Sequence, residues 1–438
     1  MRFKLFLILL SVLGVQSCAF NYDGDFLDQD YSVAVLGSSG NDRVYDLISQ
    51  SGNLLIAGSF GASDGDFSEI PVTEEAAFLL WTDQNGLPED ILSINGNGRD
   101  SFRKVRVDRD NGFIAAGLTY SESAPFFGDG SGNIFIARIS PNRALEWVKT
   151  YGGSGFDQVH SVIVTPDMDY LLAGTTTSRD GIFASNGGFS ESVFVIRLNR
   201  EGEPQWVRVF SGNRSEEVRG MHLSPDNNIE VTGFTQSDTG VFENIAINGS
   251  NTIFKLSIDL EGNLLDVKGY GGSGEDNLNY STMLISGELL LAGNTFSADG
   301  DFTDRNLDIS SAAFFMRIDP EGSISQIMIL SGNNFDMATA VATLSGRRFA
   351  LAGRTQSSRL HPKESNVLLT DRFFITVLDA AGEIEKIISG GGTASDTITS
   401  SVRMLSGRVV FAGNTSSTNG DFSENNGGTD IFLVIPEL

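Results

Sequence analysis

One unit of about 60 residues recurs seven times along this chain of 438 residues. An acidic residue stands at Asp42, Asp100, Asp157, Glu216, Asp276, Asp336 and Asp396. Sixteen or seventeen residues after each, a glycine closes an apolar run: Gly58, Gly117, Gly174, Gly233, Gly293, Gly353 and Gly413. Self-similarity at this period means that one supersecondary unit is reused, each copy burying its apolar faces against its neighbours.

The third copy shows the unit most clearly. Gln158 to Thr165 (QVHSVIVT) leads through Pro166 to Asp169 into Tyr170 to Gly174 (YLLAG), two short strand-like runs that read as a hairpin. A loop rich in Ser, Gly, Asp and Asn follows. Then Val193 to Leu198 (VFVIRL), the polar turn Asn199 to Gly202 and Gln205 to Phe210 (QWVRVF) read as a second hairpin. No segment sustains the apolar spacing of an amphipathic helix, and 50 glycines in the chain work against long helices. The fold class is all-β.

Four antiparallel strands repeated seven times suit a β-propeller, an open solenoid or two large sandwiches. The runs LLIAG, FIAAG, YLLAG, LLLAG, FALAG and VVFAG lack polar alternation, so both faces of that strand are expected to be buried, as packing between blades requires. A sandwich strand would alternate, and a solenoid would need polar capping repeats. A seven-bladed propeller of four-stranded blades is therefore expected. Six copies carry a polar turn before the fourth strand (Asp83 to Gly86, Ser140 to Arg143, Asn199 to Gly202, Asp259 to Gly262, Asp319 to Gly322, Asp379 to Gly382), and the seventh does not. Near the amino end, Ser32 to Gly37 (SVAVLG) aligns with the missing fourth strand. Closing the ring with it would remove an open edge.

Trp147 to Asp157 (WVKTYGGSGFD) and Val267 to Asp276 (VKGYGGSGED), each followed by an apolar strand, a turn and a strand ending in Ala-Gly, carry a family resemblance. The chain from Ser32 onward resembles the bacterial β-propeller repeat family called SBBP. The resemblance implies a seven-bladed ring in an exported or lipid-anchored protein, and no common enzymatic activity. Copy six departs with Leu360, His361 and Pro362 in place of the loop Phe, and copy four with Arg214-Ser215-Glu216 in place of Gly-x-Asp.

The amino end reads as an export signal. Arg2 and Lys4 precede an apolar stretch, Leu5 to Val15, too short to span a bilayer as a helix, and Val15-Gln16-Ser17-Cys18 follows. Cys18 is the chain's one cysteine, so no intramolecular disulfide can form, and its setting resembles a bacterial lipoprotein processing box. The expected organisation is a signal peptide over 1–17, an acidic tether over 18–31 starting at a lipidated Cys18, and the propeller over 32–438. The chain carries 30 basic and 56 acidic residues, a formal charge of −26 that would repel nucleic acid and anionic lipid. No nucleic acid is expected as a partner. A monomer is expected, touching the membrane through its lipid alone at the bacterial cell envelope, on the outer membrane.

The long loops repeat an Asp-Gly-Asp-Phe motif at Asp64 to Phe67 and Asp299 to Phe302, echoed at Asp23 to Phe26. Phe67, Phe183, Phe242, Phe302 and Phe422 lie nine residues after the blade glycine, the placing of a packing anchor. Asp64, Asp66 and Glu69, or Asp299, Asp301 and Asp304, put hard oxygens on one loop and are the calcium candidates, although the full spacing of a calcium loop is missing. No other cofactor is indicated. The seven repeated acids read as turn-holding groups that bond backbone N–H, with a carboxylate collar at a channel mouth as the other reading.

No catalytic constellation emerges. His160, His222 and His361 occupy non-equivalent repeat positions, and no Gly-x-Ser-x-Gly elbow occurs. The expected function is a non-enzymatic, lipid-anchored binding module for a protein, peptide or glycan. The other readings are an envelope hydrolase or lyase with two or three carboxylates in the funnel, and a purely structural surface component. The most irregular loops, Tyr120 to Asn133, Gly181 to Ser192 and Ser357 to Asp371, are candidate binding loops, the last carrying Arg359, His361 and Lys363.

Overall fold

The computed structural model describes residues 30–68, 70–188, 190–245, 251–303, 311–358, 360, 370–425 and 427–438. They form seven four-stranded antiparallel sheets, the blades of a ring. Blade three runs Asp157–Val164, Tyr170–Thr176, Ser192–Leu198 and Pro204–Phe210 from the axis outward. The first strands touch one another in sequence around the axis, and Arg43–Gln50 of blade one meets both Asp100–Val107 and Asp396–Arg403. Second strands such as Leu289–Thr295 are buried along their whole length, as their unbroken apolar runs require. Each fully buried Leu, Ile or Phe there contributes about 1.5–3 kcal/mol relative to exposure.

The chain closes the ring through its amino-terminal strand. Tyr31–Leu36 pairs antiparallel with Asp430–Pro436, Tyr31 opposite Pro436 and Leu36 opposite Ile431, and so supplies the outer strand of blade seven. The Tyr31 hydroxyl donates to Asp421 at 2.9 Å, and its ring meets Phe373 edge-on at 5.6 Å. That strand leaves no fourth-strand vacancy in blade seven for another chain to fill.

Close packing explains the repeated glycine. A Cβ on Gly174 would lie 2.0 Å from the Gln158 carbonyl and 2.6 Å from the Phe194 ring. The bare backbone lets the third-strand phenylalanine lie across it. Phe183 then packs on Phe194 at 5.0 Å, and Phe67, Phe242, Phe302 and Phe422 repeat the contact on Phe78, Phe254, Phe314 and Phe432. Blade two has the same anchor in a phenylalanine not among those five: Phe126, nine residues after Gly117, packs on Phe135 at 4.8 Å. In blade six the buried Leu360 belongs to the corresponding apolar cluster.

Candidate functional site in the axial cavity

The repeated acids are latches between blades. Asp157 opens the first strand of blade three, and its backbone N–H donates to the Gly132 carbonyl at the entrance to blade two's third strand. One carboxylate oxygen accepts from Thr176 Oγ1 at 2.5 Å, and the other from Gly153 N at 2.9 Å and Ser178 Oγ at 2.8 Å. Asp100, Asp276, Asp336 and Asp396 repeat all three contacts with residues at the same offsets. The partners spell Thr-x-Ser after the blade glycine in six of the seven copies, a regularity present in the sequence.

Two latches depart from this pattern. Blade one has Phe60 and Ala62 at the Thr and Ser positions. Asp42 accepts instead from Ser38 Oγ at 2.9 Å and Gly61 N at 3.1 Å, while Phe60 stacks on Phe67 at 4.6 Å. In blade four the longer Glu216 accepts from both Ser237 and Thr235 through Oε1, Thr235 reaching it only at 3.4 Å, so the two hydroxyls are not divided between its oxygens as in the aspartate latches. Burial pushes the Asp100 carboxyl up to about 6 and that of Glu216 to about 7, against the opposing hydrogen bonds. These perturbed carboxyls sit in repeated structural positions, with their oxygens turned to the chain's own loops.

The axial cavity is built differently. Every first strand carries a β-bulge three residues after its acid, at Tyr45, Arg103, His160, Arg219, Asn279, Thr339 and Thr399. The extra residue breaks the ladder and re-aims its side chain. Four of these side chains reach a carbonyl of the next blade: Arg219 to Leu278 at 3.1 Å, Asn279 to Ala338 at 3.2 Å, Thr339 to Ile398 at 2.5 Å, and Thr399 to Val44 at 3.3 Å. Between blades one and two the Arg103 guanidinium lies 3.9 Å over the Tyr45 ring. Inside this ring of contacts lies a cavity of about 450 Å³, lined by first strands of six blades.

Its wall is basic although the chain is strongly acidic. Lys104, Arg106 and Arg219 line it, and Asp46 is the one carboxylate among the described lining residues. Asp46 contacts Lys104 at 3.4 Å and Arg106 at 2.7 Å, and accepts from Val105 N at 3.1 Å. Burial alone would raise its carboxyl, but the two cations and the hydrogen bonds hold it below the usual range. Arg219 meets Glu217 at 2.7 Å.

His160 and His222, separated by 61 residues of chain and at different repeat positions, both line this cavity. Burial, followed by repulsion from Arg219, Arg103 and Lys104, keeps His160 far below its ordinary pKa. Burial, with Arg106 and Lys104, brings His222 down to about 3. Both imidazoles are therefore neutral at pH 7. His222 Nε2 lies 2.7 Å from Ser281 Oγ, which lies 2.8 Å from Thr232 Oγ1. Gly220 makes room for this chain of hydroxyls, since a Cβ there would stand 2.0 Å from Ser281 Oγ.

The other sequence candidates fall elsewhere. Asp64 accepts from Ser39 N at 2.7 Å and Ser39 Oγ at 2.6 Å, and Asp299 from Ser273 N at 2.6 Å. Asp66 and Asp301 accept from Gly37 N and Gly271 N at 2.9 and 2.8 Å. All four carboxylates thus brace the crossover loops between blades. Among the described residues no group of three His, Cys, Asp or Glu is arranged to hold a metal ion. Glu69, Asp304, Cys18, Arg359, His361 and Lys363 lie outside the described residues. On the loop Tyr120 to Asn133, Phe127 is 73% exposed beside a depression of about 640 Å³ that includes Lys149, Tyr151 and Glu203.

No family model matches the chain, and no curated protein matches it. Among solved structures it is similar to the β-propeller domain of the Trilobed protease from Pyrococcus furiosus, at 11% identity over 86% of this chain and 92% of that one, with a TM-score of 0.47. It is similar also to a puromycin hydrolase, at 13% identity over 87% of this chain with a TM-score of 0.49, and spans about half (51%) of that enzyme. A glucose dehydrogenase matches at 12% identity over 93% of this chain and 99% of its own, with a TM-score of 0.42. The likeness to these proteins is one of fold.

Proposed function

We propose that this protein is a non-enzymatic binding module of the bacterial envelope. In this reading it is an SBBP-type propeller, exported and held by lipid on Cys18 at the outer membrane, that takes part of a protein, peptide or glycan partner into its axial cavity as a monomer. The observation that carries the reading is the contrast between the two sets of charged groups. The perturbed carboxyls are spent on inter-blade latches, whereas the cavity presents three cations, two neutral imidazoles and several hydroxyls on a rigid ring. A glycoside hydrolase would need a pair of carboxylates with unequal environments in that cavity. The described lining holds Asp46 alone, already engaged by Lys104 and Arg106.

The test is retention from envelope extract by the full-length protein in detergent, set against a Lys104→Gln/Arg106→Gln variant with an unchanged melting temperature. The reading expects a protein or glycan to be retained by the wild type and lost with the variant. Equal retention by both, or none by either, rejects it.

A further inference from the structure

We infer that the axial cavity binds an acidic sugar, one or two pyranose rings bearing a carboxylate, with the carboxylate set between Arg219 and the Lys104–Arg106 pair. This deepens the binding-module reading and rests on it.

The first argument is charge. Three cations, Lys104, Arg106 and Arg219, line the cavity against one lining carboxylate, Asp46. An excess of two positive charges at the axis of a chain whose formal charge is −26 is the reverse of what the composition would distribute there. A cavity with low-dielectric walls and one sign of excess charge concentrates the opposite ion. The three cavity-lining cations also keep part of their side chains accessible, at 24% for Lys104, 38% for Arg106 and 26% for Arg219. Guanidinium groups suit a carboxylate because their paired N–H donors match its two oxygens.

The second argument is the remaining lining. Ser161, Ser281, Thr282, Ser400, Ser401 and Tyr280 bring hydroxyls to the same wall. Neutral His160 and His222 can donate or accept according to tautomer. Such groups are matched by a ligand with many hydroxyls of its own, which a sugar has and an acidic peptide side chain lacks. Leu47, Ile163 and Met221 supply apolar surface against which the carbon face of a pyranose can rest. A volume of about 450 Å³ also falls in the range of roughly 300–1,000 Å³ typical of small-ligand sites.

Calorimetric titration of the full-length protein in detergent decides the matter, with galacturonate and digalacturonate as probes, galactose as the neutral counterpart and a tetraglutamate peptide as the competing anion. Binding of digalacturonate is expected, with galactose at least tenfold weaker and the peptide weaker than the sugar acid. Arg219→Gln should weaken the sugar acid tenfold or more. Asp46→Asn, which frees Lys104 and Arg106 from their partner, should tighten it several-fold. The second variant has the opposite sign from what general damage to the cavity would cause, and melting curves for both show whether the fold is kept. Equal binding of galactose and galacturonate, preference for the peptide, or weaker binding by a folded Asp46→Asn protein overturns the inference. If the cavity-dependent retention from envelope extract persists while digalacturonate fails to bind, the ligand class is wrong and the binding module stands. If both fail, the module reading falls as well.

Discussion

Asp157 holds three separate pieces of chain at once: the crossover turn through Gly153, the end of the second strand through Thr176, and the loop beyond it through Ser178. Removing one partner from such a buried group leaves the others unsatisfied, at about 1–3 kcal/mol. Asp157→Ala and Thr176→Val should therefore each lower unfolding free energy by about that amount, and Asp276→Ala and Thr295→Val should match them, because the contacts are the same. Urea denaturation of the four variants checks this, and an unchanged Asp157→Ala protein would contradict the latch. Glu216 provides a test in the other direction. Thr235 reaches its carboxylate only at 3.4 Å, where Thr176 reaches Asp157 at 2.5 Å, so Glu216→Asp, which restores the side-chain length of the other blades, should gain about 1 kcal/mol.

Titration adds a second residue-scale test. Folded Asp100 keeps its proton up to about pH 6, whereas the unfolded chain releases it near 3.8. The native state holds the extra proton across that window, so this group's contribution to stability falls as pH rises through it. Asp100→Asn cannot ionise. Its stability relative to the wild type should climb from about pH 4 to about pH 6 and level off above, as read from unfolding midpoints at matched pH. Comparing variant with wild type cancels the opposite trend from His160 and His222, which the fold keeps neutral.

At the scale of elements, the strands follow directly from local pattern. The apolar runs without alternation became the doubly buried second strands, and the run near the amino end became the outer strand of blade seven. The bulges were not legible, because an extra residue in a first strand shows only when its partner register is known. Closure predicts a sharp difference between two truncations. Deleting residues 19–29 should leave the melting temperature unchanged, whereas deletion continued through Leu36 exposes the edge of Asp430–Pro436 and should lower it by many degrees. Scanning calorimetry distinguishes them, and equal melting would deny the closing strand its role.

For the whole molecule, the proposed anchor is separable from the ring. If lipid on Cys18 is what holds the protein at the envelope, Cys18→Ala should abolish fatty-acid labelling while the propeller, which begins at Tyr31, melts as before. Labelling that survives the substitution rejects the anchor. The cavity also lies among residues from six blades, contributed by segments from Asp46 to Val402. No local change of sequence could reveal it as a unit.

Period, strand character, glycine and acid spacing together determined the seven blades and their closure, because each is a local requirement repeated until chance agreement is excluded. The recurring acids read as turn-holders for the same reason, while their Thr and Ser partners, present in six of the seven copies, show as partners only in the folded ring. The cavity obeys the opposite logic. Lys104, Arg106, His160, Arg219 and His222 break the repeat, and each looks like drift when only its own copy is considered. Closing the ring brings these exceptions to one axis, where burial and mutual charge give them a common electrostatic character. Repetition is visible along a chain; the convergence of its exceptions exists only in three dimensions.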